Sequence, residues 1–103
     1  LHYGIRQIGI TENSKIVLDG FDVFKFVETL GVPFEVVLEL VNKENFVIDW
    51  IGFFETSFNT GWSLKTLLNR IENPIIDILG REYFKRVKQN LDFWYFSIYN
   101  REK

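Results

Sequence analysis

Apolar residues recur at helical spacing through most of this 103-residue chain, and Gly or Pro breaks the runs at short intervals. The clearest case is FKFVETLGVPFEVVLELV, residues 24–41. Two amphipathic segments meet at Leu30, Gly31, Val32 and Pro33, which leaves room only for a tight turn. Gly31 supplies a left-handed helix stop, and Pro33 a helix start whose missing N–H costs nothing. The same punctuation predicts the other helices. Asp19 or Asp22 caps the first, which ends near Leu30. The second runs from Pro33 to about Asn45 with Phe34, Val37, Leu38 and Val41 on one face. A third runs from about Val47 to Asn59, ahead of Gly61. Ser63 caps a fourth through about Glu72, striped by Leu64, Leu67, Leu68 and Ile71. Asn73 and Pro74 read as a further cap and start, Gly80 as its stop, and Arg81 opens a last helix to about Tyr99.

Residues 3–18 follow another pattern. Ile5, Ile8 and Ile10 alternate imperfectly with polar groups, Thr11 to Ser14 reads as a turn, and Lys15-Ile16-Val17-Leu18 follows. This is a β-hairpin or an extended arm, and two strands alone must lie on the helices or pair with a partner. The expected fold is therefore mainly α: a small orthogonal bundle of five or six short helices with helix-turn-helix-like hairpins, residues 19–103, preceded by a β-hairpin or arm at residues 1–18. A faint echo runs at a shift of thirty, where Asp19, Phe24 and Gly31 fall on Asp49, Phe54 and Gly61. Two successive helix–Gly–helix hairpins would produce it.

Eleven Phe, four Tyr and three Trp accompany no Ala, no Met and no Cys. Without Ala, the helices are expected to pack through large side chains at wide spacing. Without Cys there is neither a disulfide nor a thiolate metal site, which suits a reducing, cytoplasmic setting. Phe, Ile, Asn and Lys make up 37 residues, a bias that points to an AT-rich genome, bacterial or phage-borne. No run approaches the ~20 apolar residues of a membrane span, and no signal peptide is visible.

The helix-turn-helix pattern raises the question of DNA reading. With Gly31 as the turn residue, Phe26, Leu30, Val32, Val37 and Leu40 fall on its buried positions. Val27 stands where that pattern wants Ala or Gly. The groove-facing positions would be Pro33, Phe34, Glu35, Leu38, Glu39 and Asn42. None is basic and two are acidic, whereas DNA affinity rests on Lys and Arg neutralising phosphates. The segment has the motif's shape without its electrostatics. It reads as a packed αα-hairpin, or as a patch for a partner protein through Phe34, Glu35, Leu38 and Glu39.

Net charge is −2, with −4 on residues 1–52 and +2 on residues 53–103. Arg81, Lys85 and Lys88 share one helical face with Arg86 beside them, and Tyr83 and Phe84 interleave. Cations and rings together suit backbone neutralisation with base stacking, although any solvated helix also looks like this. The segment LDFWYFSIY, residues 91–99, is more unusual. Leu91, Trp94, Tyr95 and Ile98 form one face, while Phe93, Phe96 and Tyr99 fall on a second. A helix at the edge of a small fold buries only one face, so Phe93, Trp94, Phe96 and Tyr99 are candidate docking anchors. In FVIDWIGFFETSF, residues 46–58, Trp50, Phe53, Phe54 and Phe58 read as core.

Catalytic chemistry has little to stand on. The single His is His2, Ser14, Ser57, Ser63 and Ser97 lack a local base, and no Gly-rich phosphate loop or metal-ligand spacing occurs. Asp19, Asp22 and Asp49 are the one acid set to consider. The expectation is a non-enzymatic, cofactor-free and metal-free interaction or regulatory module, phage- or mobile-element-encoded, which docks another protein or a second copy of itself and not a membrane. The alternative is a small nucleic-acid-binding regulator using Arg81, Lys85, Arg86 and Lys88.

Overall fold

The computed structural model describes residues 4–101, with side chains placed through residue 98. The N-terminal segment settles as a hairpin: β1 (Gln7–Ile10) runs antiparallel to β2 (Ile16–Leu18). Thr11 organises the turn, its amide donating to the Lys15 carbonyl at 2.8 Å while its hydroxyl accepts from the Lys15 amide at 3.0 Å. Ser14 takes φ 63°, the left-handed conformation this turn needs.

Five helices follow among the described residues: α1 (Gly20–Glu28), α2 (Phe34–Glu44), α3 (Trp50–Asn59), α4 (Leu64–Leu79) and α5 (Arg81–Arg101). Asp19 caps α1 by accepting from the Phe21 amide, Asp49 caps α3 through Gly52, and Ser63 caps α4 through Thr66. Pro33 is the residue before α2 and offers no side-chain cap.

Two sequence expectations fail here. Phe46–Ile48 is a third strand, β3, and α3 starts only at Trp50. Asn45 ends α2 at φ 61° and turns the chain, and Val47 and Ile48 then suit a pleated surface. An apolar run this short has no period by which to tell strand from helix. Pro74 likewise starts nothing. It lies inside α4, which spans 16 residues. Ile71 and Ile75 on either side are buried, and their packing outweighs the amide that Pro74 cannot donate.

β3 pairs parallel with β2, so the sheet order is β1-β2-β3. Its register matches Ile16 with Phe46, Val17 with Val47 and Leu18 with Ile48. That is the thirty-residue echo, and it marks two strand–Asp–helix units in place of the expected helical hairpins. Asp19 and Asp49 cap the two helices, which pack on each other.

The remaining packing is not sequential. α1 lies on α3, α2 on α4, and α5 on both α4 and α3. Adjacent α1 and α2 are not principal partners, so the segment that reads as an αα-hairpin is a link between two helices that pack on different neighbours. Leu30, expected to be buried in that motif, is 65% exposed, whereas Phe34 and Leu38, expected to face outward in it, lie in the core.

The core is an unbroken chain of ring contacts. Trp62 meets Phe24, Phe24 meets Phe53, and Phe53 meets Phe34 and Trp50, at centroid distances of 5.0 to 5.7 Å. Trp50 then stacks on Phe54, Phe54 meets Trp94 at a tilt, and Trp94 and Tyr95 flank Phe58. Large rings fill space at wide helix spacing, as a chain without Ala requires. The α1–α3 crossing departs from that rule, because the chain places Gly20 and Gly52 there.

Candidate functional site

The outer face of α5 is built by its own periodicity. Phe84, Val87, Leu91 and Trp94 are buried and hold the helix on α3 and α4. At 100° per residue, Phe93 and Phe96 fall well away from that row. They are 76% and 65% exposed. Trp94 belongs to the interior, with its ring 5.8 Å from Phe54 and 5.1 Å from Phe58. It is therefore not a surface anchor. The side chain of Tyr99 lies outside the described residues.

The second patch comes apart in the same way. Phe34 and Leu38 point inward, Phe34 stacking on Phe53 at 5.7 Å, while Glu35 and Glu39 remain on the exposed side of α2. The apolar members of that patch are turned into the core while the acidic members stay at the surface, so the four cannot meet one partner together.

The basic row on α5 is exposed but largely accounted for. Lys85 lies 3.5 Å from Glu82 and Lys88 3.1 Å from Asp92. The Arg86 guanidinium sits over the Tyr83 ring, 5.7 Å from its centroid. Arg81 has no such neighbour among the described residues. Two of the four cations already face carboxylates, which lowers the net field available to a polyanion.

The acid set is structural as well. Arg6 reaches Asp19 at 2.5 Å and Asp22 at 2.9 Å, and its backbone N–H also donates to Asp22. Burial alone would raise the Asp22 carboxyl. The side-chain and backbone hydrogen bonds from Arg6, with the charges of Arg6 and Lys25, outweigh it and hold Asp22 below its ordinary 3.8. Asp49 is spent on the α3 cap. Ser57 donates to the Phe54 carbonyl and Ser97 to that of Phe93. Among the described residues, no three His, Cys, Asp or Glu side chains gather as a metal would need. No helix there is long and apolar enough to cross a membrane.

Two features escaped the sequence reading. Ile8 and Ile10 leave β1 as an exposed edge strand, 52% and 73% exposed. A groove also opens between β3 and α5, visible only once β3 exists. The alternation of Ile8 and Ile10 was a legible signal for the first, while nothing local pointed to the second.

No family model, curated protein or solved structure matches this chain. The functional reading rests on its own residues.

Proposed function

We propose that this chain is a protein-docking module without catalytic chemistry of its own, which presents Phe93 and Phe96 of α5 to a partner protein or a second copy. The observation that carries the reading is the exposure of two large rings three residues apart on a 21-residue helix, above a core that already contains an unbroken aromatic chain. Rings of this kind offer large area at small entropy cost and serve as interface anchors. Together they expose roughly 300 Å² of apolar surface, against about 800 Å² per side in a standard interface. They are thus anchors within a wider footprint, with Lys85, Lys88 and Asp92 as its charged rim. A regulatory role in the cytoplasm, phage-borne or otherwise, belongs to the same proposal and leans on composition.

Site-specific photo-crosslinking tests it. A benzophenone side chain at position 93 or 96 is expected to yield discrete protein adducts, or a crosslinked dimer of this chain, that persist at 0.5 M salt, a strongly screening condition at roughly a 4 Å Debye length. The same group at exposed Glu72 on α4 is expected to yield none. Equal labelling at all three positions, or none at 93 and 96, overturns the reading. Binding to nucleic acid through Arg81, Lys85, Arg86 and Lys88 would instead fall steeply with salt.

A further inference from the structure

The groove between β3 and α5 has a volume of about 200 Å³ and is walled by Val47 and Ile48 on one side and Tyr83, Arg86, Val87 and Asn90 on the other. Its polar groups converge without being used up. The Tyr83 hydroxyl accepts from the Trp50 indole N–H at 3.3 Å, and no acceptor among the described residues meets its own proton. Burial pushes the phenol above its ordinary 10, against the opposing effects of the Trp50 hydrogen bond and the Arg86 charge, so it remains a donor at neutral pH. Arg86 faces no carboxylate among the described residues, whereas Arg6 and Arg70 are paired with Asp19, Asp22 and Glu28. Glu82, one turn before Arg86, is engaged by Lys85.

The strand adds a third kind of donor. Successive residues of a strand send their N–H groups to opposite sides. The Asp49 N–H reaches the Leu18 carbonyl on β2 at 2.8 Å, so that of Ile48 points away from β2, at the edge along which the groove runs. A guanidinium, a phenol O–H and an outward strand amide, set among Val47, Ile48 and Val87, are complementary to a carboxylate attached to an apolar group.

We infer that this groove binds the free carboxyl terminus of a peptide ending in an apolar residue, with the terminal carboxylate on Arg86, Tyr83 and the outward amide of Ile48, and the last side chain against Val47 and Val87. Recognition of peptides by terminal-carboxylate capture uses such elements. The assignment goes beyond the docking role of Phe93 and Phe96 and does not depend on it.

The test uses the whole chain labelled with nitrogen-15 and acetylated tetrapeptides ending in Val, Leu or Phe. Titration is expected to shift the Trp50 indole and Ile48 amide resonances saturably, while the Trp62 indole stays in place. C-terminally amidated versions of the same peptides are expected to bind roughly tenfold more weakly or worse, as are Arg86→Gln and Tyr83→Phe. The Phe93→Ser/Phe96→Ser variant is expected to respond as the wild type does, which separates this assignment from the docking reading. No shift at millimolar peptide overturns it, and so does an equal response to the amides. Valerate binding as tightly as the peptides would show that the groove takes a small carboxylate only, and would overturn the peptide assignment.

Discussion

Gly20 and Gly52 meet where α1 crosses α3. A Cβ on Gly52 would stand 3.5 Å from the Gly20 Cα, and one on Gly20 only 2.8 Å from the Gly52 carbonyl carbon while overlapping the Asp49 carbonyl oxygen and the Phe53 amide nitrogen. Backbone cannot yield as a side chain can. Gly20→Ala is therefore expected to cost about 3 kcal/mol or more in urea unfolding. In Gly52→Ala the new methyl meets the Asp49 carboxylate, which can move at the expense of the α3 cap, for about 1–2 kcal/mol. Gly9→Ala, with Val17 Cγ2 4.0 Å away, is the control. A Gly20→Ala protein as stable as that control would refute the close crossing.

Arg6 joins the hairpin to the first turn of α1, and its removal should show in the pH dependence of stability. The folded Asp22 carboxyl lies below its unfolded value, so its contribution is present above about pH 4 and is lost as pH falls through the folded pKa. In Arg6→Gln the side-chain hydrogen bond and the charge of Arg6 are lost while the backbone N–H of residue 6 stays, so the Asp22 carboxyl is expected to rise from its wild-type position, as read by carbon-13 NMR. The variant should unfold at lower temperature than wild type at pH 7, and the gap should narrow on acidification. A gap that stays constant from pH 7 to pH 2 would contradict the pairing.

Phe54 and Phe93 are the same residue type in opposite settings, 0% and 76% exposed. Phe54→Ala opens a cavity between Trp50 and Trp94 and is expected to cost about 3–5 kcal/mol. Phe93→Ala is expected to stay within about 0.5 kcal/mol of wild type, as surface changes do. Denaturant unfolding of both proteins decides the matter, and a comparable loss at Phe93 would mean that its ring is needed inside this fold.

Pro74 interrupts the amide ladder of α4 without ending the helix. Pro74→Ala restores one N–H within reach of the Arg70 carbonyl and is expected to stabilise the protein by about 1–3 kcal/mol, seen as a higher Tm. An unchanged or lower Tm would show that the packing of α4 on α2 and α5 depends on the shape that Pro74 imposes.

Much of this fold was legible in the chain because the signals are local. Asp19 and Ser63 cap as a short oxygen-bearing side chain must, Gly31, Gly61 and Gly80 take positive φ, and the Leu67–Ile71 and Leu91–Trp94 rows face inward as helical spacing requires. The candidate site was legible to the same depth, since the placement of Phe93 and Phe96 opposite Leu91 follows from 100° per residue alone.

Tertiary structure decided what depends on a neighbour far along the chain. Phe46–Ile48 became a strand because β2 stood beside it to accept its hydrogen bonds, and α4 passed through Pro74 because Ile71 and Ile75 had a core to enter. Phe34 and Leu38 turned inward because α2 packs on α4 and not on α1. The groove at Tyr83 and Arg86 exists only because β3 and α5, nearly forty positions apart, lie side by side. Periodicity and capping are properties of a few consecutive residues, whereas the choice among packing partners is a contest between surfaces, and only the assembled chain settles it.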